Sequence, residues 1–341
     1  MTPFKPIENK SLCVKRHRKP DPRAALPENT VLDDYRFGKI IGRGSFSLVY
    51  AAVEVSTGRE LVIKEFFPKH NAMRNTSDQI VPRSSSKELI FRKCLKQFYG
   101  EALALKNIQH PNVLNTHSFF KVNNTAYLVS QNQKGRDLKW FLNSFDNSLD
   151  QELILKVFLP VLSALNFLHE AKMLHLDIKP ANILLQPNGQ SLLLDFGASQ
   201  AMDSSKRINK GQTLTHGFAP PEQYDKHRDL GPWTDLYAVA ASLYYCISSK
   251  LPPKSKDSKV ASQLDTKYYA GHYKPSLISA VNRCLSHKES DRFDNIDEFA
   301  AAMLVDSKWE TLAEYEKDVM GYDRFAATTL HSLEVLTRYA A

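Results

Sequence analysis

The sequence predicts an α+β fold with two lobes, a small strand-rich lobe followed by a larger, mostly helical one. Up to about residue 133 most apolar residues occur in short strand-like runs, and beyond Gly135 they follow mainly helical spacing. Strands that precede helices along the chain, instead of alternating with them, are typical of α+β proteins. Of the 341 residues, 43% are hydrophobic and 24% are charged, which is enough for a sizeable core.

The first lobe is predicted to begin with three strands. Residues 35–41, 48–55 and 60–66 have the composition and alternation of strands, and a glycine-containing turn separates the first two. Residues 67–87 are polar and rich in proline and serine, which predicts a long loop.

A helix and a hairpin are predicted to complete this lobe. Apolar residues at helical spacing predict a helix over residues 88–108. Residues 113–122 and 125–130 are predicted to pair as a hairpin. In the second lobe, residues 191–194 read as a short strand and the apolar run 236–247 as a buried core helix.

The basic charge is concentrated in a leader over residues 1–31. The chain has a formal net charge of +8, and residues 1–30 contribute seven basic and three acidic residues, or +4. Proline-rich sequence without apolar periodicity predicts a flexible segment, either a solvated tail or a docking or targeting arm. Because the chain has no helix-turn-helix or RNA-binding motif, we expect no nucleic-acid partner.

Cysteine usage and hydropathy indicate the cellular setting. The four cysteines are far apart and form no C-x-x-C pair, so we expect neither a disulfide scaffold nor a zinc site, and a cytoplasmic location. No run of 18 apolar residues and no apolar signal segment is present, so no membrane span is expected.

A glycine-containing turn joins the first two predicted strands. The turn contains Gly42, Gly44 and Ser45 and lies between Ile41 and Val49. Its glycines could let the backbone approach phosphate oxygens and donate N–H groups to them. A strand follows the turn, so it is neither a Walker loop nor a Rossmann turn. A simple tight hairpin explains the same residues.

Two charged residues occupy positions that are otherwise apolar. Lys64 directly follows the apolar residues 61–63 of the strand 60–66, and Glu101 falls on the apolar stripe of the helix 88–108. A carboxylate on a buried face needs a partner. An ion pair between Lys64 and Glu101 explains both and would aim the ammonium group at phosphates.

The clearest chemical signal lies between residues 175 and 197. Two acids and an amide, Asp177, Asp195 and Asn182, stand at the edges of short apolar strands. Phosphoryl transfer to a hydroxyl needs a base beside the attacking oxygen and oxygen ligands for Mg²⁺. We interpret Asp177 as the base, Asn182 and Asp195 as metal ligands, and Lys179 as a neutraliser of phosphate charge.

Together these motifs resemble those of eukaryotic-type protein kinases. The glycine loop, Lys64, Glu101, the segment H-x-D-x-K-P-x-N and the D-F-G triplet occur in that family's order and spacing. The resemblance implies the bilobal protein-kinase fold, and it predicts four segments. These are a leader at 1–31, an N-lobe at about 32–133, a C-lobe at about 134–304 and a C-terminal helical extension at 305–341.

The resemblance points to the serine/threonine class. Lys179 follows the base by two residues, and Thr215 precedes a G-F-A-P segment, as in serine/threonine kinases. Two features resemble a bacterial subgroup of serine/threonine kinases. They are the 36-residue segment between Lys64 and Glu101 and the sequence F-A-P-P-E-Q at residues 218–223.

The ligands implied are ATP, Mg²⁺ with Mn²⁺ as an alternative, and protein substrates with Ser or Thr acceptors. Ile41, Val49 and Val62 would contact adenine, and Lys64 the α- and β-phosphates. The remaining implied ATP contacts are Ser130 as gatekeeper, Gln131 and Gln133 through their backbone, and Asp137 at the ribose.

One position departs from the usual kinase pattern. Leu176 replaces the Arg that normally pairs with a phosphorylated activation-loop residue, which makes this a non-RD sequence. The absence of this Arg predicts activity that does not depend on activation-loop phosphorylation. Two alternatives remain open, a pseudokinase that acts as a binding scaffold and a small-molecule phosphotransferase. The scaffold would be expected to lack Lys64, Asp177 or Asp195, and all three are present.

Overall fold

The computed structural model describes most of the chain in two compact units. The described residues are 24–106, 108–144, 149–202, 214–225, 227–255, 263–305, 307 and 309–321. The first unit contains residues up to 102 together with 116–132, and the second contains 103–115 and the residues from 133 onward. The predicted leader lies mostly outside the described residues, so its docking role stays a prediction.

The first unit is a sheet with one long helix and a small added hairpin. Its elements are β1 (Val31–Leu32), β2 (Tyr35–Arg43), β3 (Ser47–Glu54), β4 (Glu60–Phe66), β5 (Ala72–Arg74), β6 (Ile80–Pro82), α1 (Ser85–Lys106), β7 (Thr116–Val122) and β8 (Thr125–Gln131). The last turn of α1, from residue 103, belongs to the second unit. Six strands form an antiparallel sheet in the order β1-β2-β3-β4-β8-β7, and β5 pairs with β6.

The structure corrects three predictions in this unit. The segment predicted as a loop over 67–87 contains the β5–β6 hairpin, whose buried Ala72 and Ile80 were too few to give a strand pattern. Helix α1 begins at Ser85, three residues before the predicted start, and ends at Lys106. Strand β7 begins at Thr116, because Val113 instead forms a bridge with Leu193.

Both faces of the main sheet are covered. On one face the ring of Phe66 contacts Phe91 and Phe98 of α1. On the other face Phe37 makes edge-on ring contacts with Tyr50 and Tyr127, and all three rings are fully buried. Burial on both faces explains why strands β3 and β4 carry apolar or paired side chains at nearly every position.

The second unit is mainly helical. Its elements are β9 (Arg136–Asp137), α2 (Leu138–Ser144), α3 (Gln151–Glu170), β10 (Met173–Leu174), β11 (Ile183–Leu185), β12 (Ser191–Leu193), β13 (Gln200–Ala201), α4 (Pro221–Tyr224), α5 (Pro232–Ser248), α6 (Thr266–Tyr269), α7 (Pro275–Cys284), α8 (Ile296–Leu304) and α9 (Leu312–Tyr315). Strand β11 pairs with β9 and β12, and β10 pairs with β13.

Helices α3 and α5 form the centre of this unit. Helix α5 confirms the predicted buried helix, and α3 packs against α5 and α8. Among the described residues α3 is also long and apolar enough to cross a membrane, but 78% of its apolar window is buried inside the protein. Such burial fits a core helix.

The chain continues past α8 with a short helical segment. Leu312 and Tyr315 of α9 are buried, and α9 contacts α3 and α8. A π-helical turn, Glu316–Met320, follows. The rest of the predicted C-terminal extension, residues 322–341, lies outside the described residues.

Candidate active site

The glycine segment forms a tight hairpin between β2 and β3. The Gly44 N–H donates to the Ser47 carbonyl at 2.8 Å, and Ser45 lies at the tip. A Cβ at Gly44 would lie 3.0 Å from the Ser47 hydroxyl, and one at Gly42 would lie 3.3 Å from the Val49 Cβ. Glycine therefore lets the two strands approach closely at this turn.

Four of the predicted nucleotide-contacting side chains share one face of the first unit's sheet. Lys64 lies directly opposite Val49 on β3, and Val62 lies opposite Ser130 on β8. Directly opposed residues in an antiparallel sheet point to the same face, as do residues two apart on one strand. On β2, Gly42 pairs with Val49, and Ile41 is the residue before Gly42. The structure thus brings Val49, Val62, Lys64 and the small side chain of Ser130 to one surface.

Lys64 is half-buried, and α1 runs over the same face. Its ammonium nitrogen is 5.8 Å from the centre of the Phe98 ring, which belongs to α1. Glu101 is also on α1, one turn beyond Phe98, but its side chain lies outside what the structure describes. The Lys64–Glu101 ion pair therefore stays a prediction.

In the second unit the carboxylate of Asp177 is the centre of a polar network. It accepts hydrogen bonds from the Lys179 ammonium at 2.6 Å, the Thr215 hydroxyl at 2.8 Å and the Asn182 amide nitrogen at 3.1 Å. Lys179 also donates to the Thr215 oxygen at 2.9 Å. Because three donors hold it, the carboxylate is oriented and kept next to a cation.

Thr215 is the residue whose direct role the sequence did not reveal. Its position before the G-F-A-P segment marked the serine/threonine class but gave no sign of contact with Asp177, 38 residues earlier. Its hydroxyl both donates to Asp177 and accepts from Lys179, which makes it a bridge between the two.

Asn182 and Asp195 offer oxygen atoms suited to a hard cation. The Asn182 amide nitrogen donates to the Asp177 carbonyl and carboxylate, which turns the amide oxygen away from those bonds. Asp195 is exposed, and its backbone has a φ of 60°, in the left-handed region. Within the described part of the chain no cluster of three or more His, Cys, Asp or Glu could hold a metal alone. Two oxygen donors fit Mg²⁺ or Mn²⁺ that takes its other ligands from phosphates and water.

A buried acid below the loop holds its backbone. Asp235 accepts hydrogen bonds from the backbone N–H groups of His175 and Leu176, at 2.9 and 2.8 Å, and from the His169 ring at 2.9 Å. Burial acts to raise the pKa of Asp235, but these donors outweigh it and hold the pKa below its ordinary value. Burial lowers the pKa of His175, so that its ring is neutral.

A second buried pair supports the A-P-P-E segment. Both side chains of Glu222 and Arg292 are fully buried, and the guanidinium donates two hydrogen bonds, at 2.6 and 3.0 Å. Thr234 donates a third hydrogen bond to Glu222 at 3.1 Å. These contacts hold the segment against the helices that follow it.

The predicted adenine-edge and ribose residues are spread over the two units. Gln131 is the last residue of β8 in the first unit, and the Gln133 side chain accepts a hydrogen bond from Gln186 at 2.8 Å in the second. Asp137 accepts from the Trp140 N–H at 2.8 Å, which caps the start of α2. The ribose contact of Asp137 stays a prediction.

The chain is similar to known protein kinases. A family model described as a protein kinase domain matches residues 35–309. The chain is 27% identical to serine/threonine-protein kinase D of a Synechocystis species, over 80% of the chain and 52% of that protein. It is 25% identical to the probable serine/threonine-protein kinase PknB of Bifidobacterium longum, over 84% of the chain and 39% of that protein.

A solved structure, the "PpkA-294 apo form", is also similar to this chain. The two share 32% identity and superpose with a TM-score of 0.72, and the match covers 82% of this chain and 99% of that one. By contrast, the chain spans about half or less of the length of the two curated relatives.

Proposed function

Because this chain belongs to the protein kinase family, in the eukaryotic-type serine/threonine group that has bacterial members, we propose that it phosphorylates proteins. In this reaction the γ-phosphoryl group of ATP passes to Ser or Thr hydroxyls. The observation that carries the proposal is the network of Asp177, Lys179, Asn182 and Thr215. It places a cation and an amide within hydrogen-bond distance of one carboxylate, and these are groups that phosphoryl transfer uses.

Each residue has a distinct part in the proposed reaction. Asp177 orients the acceptor hydroxyl and takes its proton as the oxygen attacks. Lys179 offsets negative charge on the transferred group, and Lys64 binds the α- and β-phosphates. Asn182 and Asp195 would hold the divalent cation, which neutralises phosphate charge when bound. The backbone N–H groups of the glycine hairpin would donate to phosphate oxygens.

The proposal is tested by the transfer of radiolabelled phosphate from ATP. We expect wild-type protein to label itself or a generic basic protein, and Asp195→Asn to abolish the label because the amide is a weaker ligand for the cation. The matched control is Asp294→Asn, at an exposed aspartate of the same unit, which should label normally. Absence of label in wild-type protein, with nucleotide binding retained, would support the scaffold alternative.

We further propose that activity does not depend on activation-loop phosphorylation. Leu176 stands where an Arg would pair with the phosphate, and its side chain is buried and uncharged. Without that cation a phosphate in the loop gains no charge-assisted partner at this position.

Phosphatase treatment should therefore leave turnover unchanged. The measurement compares kcat before and after treatment, with intact mass to verify that phosphate has been removed. A loss of turnover that is restored when the treated protein is incubated with ATP would contradict the proposal.

A further inference from the structure

A buried carboxylate lies directly behind Lys64. Glu65 is the next residue on β4, and its side chain is fully buried. Neighbouring side chains on a strand point to opposite faces, so Glu65 occupies the face of the sheet opposite Lys64. A buried charge at this position needs partners, because an unpaired carboxylate in the protein interior is costly.

Glu65 has three partners, and two of them lie on the strands that flank β4. The hydroxyls of Tyr50 on β3 and Tyr127 on β8 each donate to it at 2.8 Å. The Arg74 guanidinium donates to it at 2.6 Å. Since β3 and β8 are the two strands that flank β4, the carboxylate links the strand that carries Lys64 to both of its neighbours.

Arg74 extends this network to segments outside the main sheet. It ends β5, its side chain is only 2% exposed, and it also donates to the carbonyls of Ala24 at 3.1 Å and Asp78 at 2.8 Å. The Leu26 N–H in turn donates to the Tyr50 hydroxyl at 3.2 Å. One guanidinium therefore connects the sheet, the β5–β6 hairpin and the chain just before β1.

The network shifts the pKa values of the groups that donate to Glu65. Burial acts to lower the pKa of Arg74, and the adjacent Glu65 carboxylate outweighs it and raises the pKa above its ordinary value. Burial raises the pKa of Tyr50 and Tyr127, and the charge of Glu65 is the second cause. Both hydroxyls therefore remain hydrogen-bond donors.

We propose that Arg74 is a positioning residue for Lys64, acting through Glu65, and that it thereby sets the affinity for ATP. The inference rests on the proposed function, in which Lys64 binds the phosphates. If Arg74 is lost, the Glu65 carboxylate must admit water or become protonated. Either change loosens β4 from β3 and β8. Lys64 moves with β4 because it is the residue directly before Glu65 on that strand.

The test is a double-mutant cycle in which the affinity for MgATP is measured by isothermal titration calorimetry on the full chain. We expect Arg74→Met to weaken ATP binding about 5-fold, and to have almost no effect in a Lys64→Met background, because coupled residues are non-additive. Arg74→Lys, which keeps the cation but reaches fewer acceptors, should be intermediate.

The matched control is Arg83→Met. Arg83 is an exposed arginine just after β6 that donates to the Lys69 carbonyl at 3.1 Å, and its replacement should leave the affinity at the wild-type value. If Arg74→Met does not fold, Tyr127→Phe removes one bond to Glu65 without leaving a charge unpaired and enters the same cycle.

The outcomes separate this inference from the proposed function. If Arg74→Met lowers only the thermal midpoint, or weakens ATP binding equally with and without Lys64, Arg74 is merely structural and the inference is wrong. If wild-type protein does not bind MgATP, or Lys64→Met binds it normally, the proposed role of Lys64 itself fails.

Discussion

Replacing Asp177 with asparagine is expected to lower kcat by about 10²–10⁴-fold, the usual range for loss of a general base. Asparagine preserves the shape of the side chain but cannot accept the proton of the substrate hydroxyl. It also removes the anion that holds the Lys179 ammonium at 2.6 Å. Steady-state kinetics should show the loss in kcat, with the KM for ATP close to the wild-type value, because Asp177 acts on the acceptor.

An exposed aspartate in the same unit provides the matched control. Asp294→Asn makes the same chemical change away from the network and should retain wild-type kcat. Thermal unfolding of both variants separates a catalytic effect from a folding defect. An Asp177→Asn enzyme that keeps most of its turnover would show that another group accepts the proton.

Arg292→Met is expected to reduce the free energy of unfolding by about 3–5 kcal/mol, as found when one partner of a buried ion pair is removed. The reason is that Glu222 is fully buried and, among the described residues, would keep only the side-chain hydrogen bond from Thr234. Denaturation by urea, followed by circular dichroism, measures the difference.

The neighbouring Arg228–Glu289 pair supplies the comparison. Its side chains are 32% and 27% exposed, and solvent screens part of their attraction. Arg228→Met should therefore cost about 1 kcal/mol or less. Equal losses for the two variants would indicate that Glu222 is hydrated or protonated once Arg292 is gone, and that burial does not dominate.

The part of the site around Asp177 could be predicted because its residues are close along the chain. Asp177, Lys179 and Asn182 lie within six residues, and a loop this short brings their polar groups together. The long strands of the first unit and helices α1 and α5 were also predicted, since each has enough residues for its apolar pattern to be clear. The β5–β6 hairpin was missed because each of its strands has three residues.

Other parts of the site could not be predicted because they depend on contacts between distant segments. Thr215 meets Asp177 across 38 residues of chain, and nothing in its local sequence predicts that contact. Glu65 reads in the sequence as a charged residue near the end of a strand, which is usually solvated. Its burial depends on the hairpin that contributes Arg74 and on the segment around Ala24.

The sequence by itself determined the α+β fold class, the family and the identity of the acids proposed to carry the reaction, because these are recorded in short motifs and in local periodicity. The tertiary structure decided which charged side chains are buried and which partners they have. The physical reason is that the environment of a charge is set by whatever segments cover it. For Glu65 those segments lie outside the strand, and so the polar network behind Lys64 becomes visible only in the folded chain.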